Sequence, residues 1–207
     1  MHNPLLTETA SFDAVILANG SFPTAQLPLT LLHQAPYVCA CDGAVCHYPE
    51  ANAVVGDGDS VPEAFRDKLI QVTEQEDNDL TKATRHCLSL GFRRILYLGC
   101  TGKREDHTLG NISLIVRYMR DFGIQPIMAT DHGWFTPACG RTTFASFPHQ
   151  QVSIFNFGFK HIQSEGLCYT PYAYSEWWQG TLNETAANIF TLDADGYYLV
   201  FRTYVIE

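Results

Sequence analysis

Gly56-Asp57-Gly58-Asp59-Ser60, entered directly from Ala53-Val54-Val55, is the stretch whose reading decides the fold. The apolar run reads as a buried strand, which places Asp57 and Asp59 at its C-terminal tip. In an open α/β sheet, ligands bind at that edge. The glycines let the backbone bend and let a ligand come close. Two carboxylates so near each other repel unless a cation lies between them. Hard oxygens suit Mg²⁺, which keeps several waters and bridges to substrate phosphates. The first expectation is therefore a magnesium-phosphate site, and the alternative is a plain Asp/Gly turn. A calcium EF-hand loop does not fit, because Val61 and Pro62 follow. Val61 also stands where a dinucleotide-binding fingerprint starting at Gly56 needs glycine.

Upstream, Ala14 to Ala18 reads as a strand ending at Asn19-Gly20, Leu27 to Leu32 as a helix, and Tyr37 to Cys41 as a strand ending at Asp42-Gly43. Downstream, Leu69 to Thr73 and Arg94 to Leu98 read as strands, and Ile127 to Ala129 as the last of this half. Helical spacing of apolar residues runs over 79–90, with Gly91 as stop, and over 106–122, with Gly123 as stop. Alternating strands and helices predict a mainly parallel sheet with flanking helices. From Gly133 the pattern changes to short runs at 142–147, 152–157, 166–169, 187–191 and 197–204, parted by Gly, Pro, Asn and Asp. That is an antiparallel pattern, and Asp193-Ala194-Asp195-Gly196 reads as a hairpin turn before the final strand. The expected architecture is an α/β domain over 1–132, then an all-β sandwich over 133–207.

The 207 residues are 46% hydrophobic, and 13 basic against 22 acidic residues give a formal charge of -9. With that charge and no basic run, non-specific nucleic-acid binding and binding to an anionic membrane surface are not expected. Seven cysteines form no C-x-x-C pair, which fits a reducing compartment, and Cys39 and Cys41 read as buried structural thiols. Met1-His2-Asn3-Pro4 lacks the basic-then-apolar pattern of a secretory signal, and no apolar run approaches membrane-spanning length. A cytoplasmic location is expected.

Parallel strands put all their C-terminal tips on one edge, so four polar tips can meet there: Asp42-Gly43, Asp57 to Ser60, Asp77-Asn78-Asp79 and Gly99 to Asp106. The last is a glycine-bearing loop, with Lys103 and Arg104, running into a helix whose first N–H groups favour phosphate. It lacks the spacing of a Walker loop. Lys82 follows Asp79 on the same helical face, and Asp79 itself could serve as the N-terminal cap. His107 could be a ligand, a base or a surface residue. In the β half, Trp177 and Trp178 could stack on a flat heterocycle or pack a core.

These segments resemble the thiamin pyrophosphokinase family over nearly the whole chain. The resemblance is carried by G-D-x-D-S at 56–60, by 75–83 and by Gly99-Cys-Thr-Gly102-Lys-Arg104-Glu-Asp106-His107, close to the family's G-x-x-G-G-R-x-D-H. Residues 18–20 and 42–44 also resemble the family's first two strand tips, and weaker matches lie at 166–169 and 180–184. Lys103 stands where the family has a second glycine, and Glu74 and Glu76 stand where Asp is common. Cys168 replaces a frequent Lys, and Thr181 a frequent Ser.

The resemblance implies a homodimeric enzyme that transfers diphosphate from ATP, the co-substrate, to the hydroxyl of thiamine, releasing AMP. It implies that Asp57, Asp59 and Asp79 hold Mg²⁺, that Arg104 binds phosphate and that Asp106 supports metal or nucleotide. Gln75 would sit at the thiamine-phosphate junction, and Tyr169, Thr181 and Asn183 would face thiamine. Asn19, Gly20, Asp42, Gly43, Ser60, Gln75, Lys82, Thr101, Gly102 and His107 complete the expected nucleotide surface. The rivals are another Mg²⁺-dependent nucleotide-using phosphotransferase and a non-catalytic nucleotide-binding module.

Overall fold

The structure, a computed structural model, describes residues 2–204. In chain order the elements are β1 His2–Asn3, β2 Ala14–Leu17, α1 Gln26–His33, β3 Val38–Cys41, β4 Ala53–Gly56, β5 Leu69–Gln71, α2 Asp79–Ser89, β6 Arg94–Leu98 and α3 Glu105–Phe122. They continue as β7 Gln125–Ala129, β8 Gly133–Cys139, β9 Thr142–Ala145, β10 Gln151–Asn156, β11 Ile162–Glu165, β12 Asn183–Glu184, β13 Ile189–Ala194 and β14 Tyr197–Thr203. The chain divides into two compact units, one of residues Glu8–Asp131, the other of residues 2–7 with 132–204.

In the first unit the strands lie in the order β7-β6-β2-β3-β4-β5, and every pair is parallel. Every residue of β2, β3 and β4 is buried, so these strands read as continuous apolar runs rather than alternating ones. Leu80, Ala83 and Cys87 form the buried stripe of α2, which packs on β2, β3 and β4. That helix begins because the Asn78 side chain accepts the Thr81 N–H at 3.0 Å. Asn78 is thus the cap, and Asp79 is the first helical residue. The stop of α3 is Gly123, in the left-handed conformation at φ 64°. After β3 and β4 come 3-10 turns over Asp42–Cys46 and Glu63–Lys68 instead of α-helices.

The second unit has two sheets. One runs β1-β9-β13-β11, with β1 parallel to β9, and the other runs β12-β10-β14-β8 with all pairs antiparallel. Phe144, Phe190 and Leu192 from the first meet Ile154, Tyr198 and Val200 from the second in one buried cluster. The sequence reading differs here in four places. Residues 2–7 go with this unit, because β1 pairs with β9. The run at 166–169 forms a single bridge, Leu167 to Thr185, not a strand. Strands β8 and β11 were not expected: β8 contains Pro137 and is buried on successive residues, so it lacks a period of two, and β11 has one apolar residue. Finally, Asp195-Gly196 links strands of different sheets, so it is a corner between sheets rather than a hairpin.

Arg202 sits fully buried in this unit, with its guanidinium 4.7 Å from the centroid of the Trp134 ring and 5.2 Å from that of Phe144. Nη1 donates to the Ala145 carbonyl at 2.8 Å, and Nη2 to Thr136 Oγ1 at 3.3 Å. Burial pulls its pKa down to about 9, so it stays charged at neutral pH. It ties β14 to β8 and to β9, one strand of each sheet. Arg202→Ala should lower the unfolding free energy by about 3–5 kcal/mol, through the cavity left between the rings and the orphaned acceptors. Urea denaturation checks this; a loss under about 1 kcal/mol would remove Arg202 from the account of this core.

Candidate active site

The tips of β2, β3 and β6, the turn after β4 and the starts of α2 and α3 enclose a pocket of about 380 Å³. Asn19 and Gly20 line it from the first tip, Asp42 from the second, and Ser60 from the third. Asp79, Gly102, Lys103, Arg104 and His107 complete the lining residues expected from sequence.

The β2 tip is locked to the glycine loop through the backbone. Gly20 N–H donates to the Gly99 carbonyl at 2.7 Å, and Ser21 N–H to the Thr101 carbonyl at 2.8 Å. A Cβ on Gly20 would lie 2.3 Å from the Gly99 oxygen and 2.4 Å from the Thr101 oxygen, so only glycine fits. Gly102 is at φ 74°, and Lys103 follows at φ 59°, a left-handed conformation that costs a lysine about 1–2 kcal/mol. The Lys103 ammonium donates to the carbonyl and Oδ1 of Asn19, at 2.9 and 3.1 Å. Thr101 contributes only its backbone to this lock and does not line the pocket.

Asp42 is buried, at φ 44°. Its Oδ2 accepts the Ser60 N–H at 3.2 Å, while its Oδ1 is buried without a partner. The carboxylate rests on Gly56, where a Cβ would lie 2.9 Å from that of Asp42. Gly43 is packed against Asn19 and Ser60 in the same way. Asp79 is half-buried; burial raises its pKa, the Lys82 ammonium opposes this, and the charges of Asp42 and Asp57 push it further up. Lys82 is 5% exposed and reaches Asp79 Oδ1 at 3.4 Å, so it neutralises the carboxylate from beneath without lining the pocket.

Other expected residues stand outside the lining. Asp57 Oδ1 accepts the Asp59 N–H at 3.1 Å, which shapes the turn, and Asp59 is exposed. Among the described residues no group of three His, Cys, Asp or Glu side chains is placed to hold a metal ion. Asp57, Asp59 and Asp79 are therefore not closed into a ligand set by the chain alone. Asp106 lies at the surface and binds Arg104 through two hydrogen bonds, of 3.1 and 2.6 Å. This pairing holds the Asp106 carboxyl below its usual range and the Arg104 guanidinium above its own. Gln75 is exposed on a loop whose neighbours Glu74 and Asp77 are pinned by Arg85, and Asp77 also by Arg117.

The sequence places Asn78 and Cys100 in tips that meet here without giving either a role, and it misses Cys41 and Asn111; all four line the pocket. Asn78 Nδ2 donates to Asn111 Oδ1 at 3.1 Å, and Asn111 Nδ2 donates to the Cys100 carbonyl at 2.9 Å. Two amides thereby join the starts of α2 and α3 to the glycine loop. The available signal was spacing: Arg104, His107 and Asn111 fall three and four residues apart, along one face of α3.

In the second unit Asn183 is buried, and both ends of its amide are used on Tyr169. Oδ1 accepts the Tyr169 N–H at 3.2 Å, and Nδ2 donates to the Tyr169 carbonyl at 2.8 Å. The Thr181 hydroxyl donates to the Trp178 carbonyl at 2.7 Å. Tyr169 and Trp178 are left exposed, at 64% and 71%.

Two family descriptions match this chain. "Thiamin pyrophosphokinase, catalytic domain" covers residues 29–127, and "Thiamin pyrophosphokinase, substrate-binding domain" covers 133–201. The chain belongs to the thiamin pyrophosphokinase family. It is 30% identical to thiamin pyrophosphokinase 1 of Caenorhabditis elegans over 132 residues, which are 55% of this chain and 54% of the worm protein. The chain thus matches about half the length of that relative. Thiamin pyrophosphokinase from Candida albicans has the same fold, with a TM-score of 0.80 at 14% identity over 99% of this chain and 92% of that one. The Geobacillus thermodenitrificans structure gives 0.74 at 19% over 93% and 97%.

In this thiamin pyrophosphokinase-family chain the Gly20 lock is open to test. Gly20→Ala must push the glycine loop away, and overpacking of this kind costs about 1–3 kcal/mol. The variant should lose both thermal stability and nucleotide affinity. Unchanged melting and binding would show that the loop yields without consequence.

Proposed function

We propose that this chain transfers the terminal diphosphate of ATP to the hydroxyl of thiamine, giving thiamine diphosphate and AMP. The observation that carries the reading is the pocket at the parallel strands' tips. It sets the carboxylates of Asp42 and Asp79 against the cationic loop of Lys103 and Arg104, in a chain with both domains of the family. The fold is read as an α/β half that handles the nucleotide and a β-sandwich half that handles thiamine, with the division near residue 132.

Mg²⁺ fits the donor set. Asp42 has a buried oxygen without a partner, and the charges of Asp42 and Asp57 make ionisation of Asp79 harder, which a cation would relieve. Asp57, Asp59 and Asp79 would hold the ion together with phosphate oxygens, since Mg²⁺ sites are commonly completed by substrate. When bound, it supplies charge neutralisation on the polyphosphate. Arg104 would leave Asp106 to bind phosphate, and Asp106 would return it afterwards. Gln75 is assigned to the junction of thiamine and phosphate, and Tyr169 and Thr181 to thiamine. Asn183 would fix the Tyr169 backbone. Phosphoryl chemistry of this kind depends on positioning and charge more than on covalent catalysis.

Incubation with ATP, Mg²⁺ and thiamine should give AMP and thiamine diphosphate, and a chelator should abolish turnover. ADP with thiamine monophosphate would instead indicate an ordinary kinase. Asp57→Asn should lower the rate by roughly 10²-fold or more, as loss of a key electrostatic group does; near-normal turnover of the folded variant removes Asp57 from the metal site.

The acting form is taken to be a cytoplasmic homodimer, in which one protomer's aromatic segment completes its partner's phosphate pocket. A two-fold dimer would then carry two equivalent sites. Mixing Asp57→Asn with Tyr169→Ala under subunit exchange should restore up to about half of normal activity per heterodimer, by that symmetry. No recovery despite demonstrated exchange would place both residues in a site within one chain.

A further inference from the structure

Three features of Lys103 point beyond the assignments above. Its backbone is left-handed at φ 59°, a conformation that favours glycine, so the side chain is retained against a local strain. It lines the pocket. Its ammonium meets only uncharged oxygens, those of Asn19, at 2.9 and 3.1 Å. The other cations near the pocket are already matched: Arg104 by Asp106, and Lys82 by Asp79. Among the described residues that line the pocket, Lys103 is thus the basic side chain whose charge no carboxylate balances. Neutral acceptors hold an ammonium in place but do not cancel its field, and a phosphate oxygen accepts from it more strongly than an amide does.

We propose that Lys103 is a phosphate-binding residue that sets the pocket's preference for the polyphosphate chain of a nucleotide over its nucleoside, its ammonium leaving Asn19 for the anion. The inference rests on the nucleotide reading of the pocket and adds to it a residue that chooses by phosphate charge. The lock between the β2 tip and the glycine loop does not depend on this ammonium, because the backbone bonds of Gly20 and Ser21 hold it. Lys103 can therefore exchange partners without the loop coming apart.

The experiment is calorimetric titration of ATP, inorganic tripolyphosphate and adenosine into wild type, Lys103→Gln, Lys103→Gly and Lys160→Gln. Lys160 is an exposed lysine of the second unit and controls for net charge. Lys103→Gln keeps the strained backbone and removes the charge. Lys103→Gly removes both, so a fold defect in the first variant does not hide the result. Both Lys103 variants should lose roughly tenfold to hundredfold in affinity for ATP and tripolyphosphate, as loss of a charge-assisted hydrogen bond does, with adenosine and the Lys160 control unchanged. Wild-type affinity for tripolyphosphate in both variants would overturn the inference while leaving ATP binding, and the nucleotide reading, intact. Binding of tripolyphosphate that depends on Lys103, with no binding of ATP, would uphold the residue's role and overturn the nucleotide reading. Failure of wild type to bind either anion would overturn both.

Discussion

The approach of two backbones, Gly20 against Gly99 and Thr101, is the constraint on which the pocket depends. Two N–H donors satisfy two carbonyls there, at 2.7 and 2.8 Å, in a space that admits no side chain at residue 20. This fixes the loop after β6 relative to the tip of β2. Gly102, Lys103 and Arg104 then inherit their positions, and α3 starts one residue later. The conformations at Gly99 and Gly102 are left-handed, so the same contact also dictates where glycine must recur. A loop held by its backbone leaves its side chains free to exchange partners, as the proposed polyanion site would require.

Charge in the site is organised in two tiers. The buried Lys82 is matched to Asp79, which lines the pocket, and outside the lining Arg85 and Arg117 are matched to Asp77. Lining the pocket, the buried Asp42 has an oxygen without a partner and Lys103 an ammonium on neutral acceptors. The first wants a cation and the second an anion. The magnesium-bound polyphosphate proposed for this pocket would supply both at once, so the overall charge of -9 does not argue against that proposal.

Much of the first unit was legible because its signals are local. Apolar runs such as Ala14 to Leu17 and Ala53 to Val55 mark strands buried on both faces, and glycine stops mark the helix ends. Parallel topology then brings distant tips together without further information. Less legible were Asn111, which lies outside every tip, and the role of Asn78, because these two amides act by pairing across elements. The capping role of Asn78 is hidden because the neighbouring Asp79 offers an equally good cap. In the second unit the signals weaken: Pro137 interrupts β8, and β1 pairs with a strand some 140 residues away. No local pattern reports such a partner.

Asn183 shows how a correct position can carry an altered role. Its place beside an exposed aromatic segment suits a ligand contact, yet both ends of its amide are already spent on the Tyr169 backbone. A buried amide satisfied in this way is a clamp, and releasing it to meet a ligand would leave polar groups of the chain unpaired. The side chain that the clamp presents is Tyr169, largely exposed, as is Trp178. Exposed aromatic rings suit a flat ligand or a second protomer. The polar residues of this segment thus fix its backbone and leave rings exposed, whereas in the first unit glycines fix the backbone and polar side chains line the pocket.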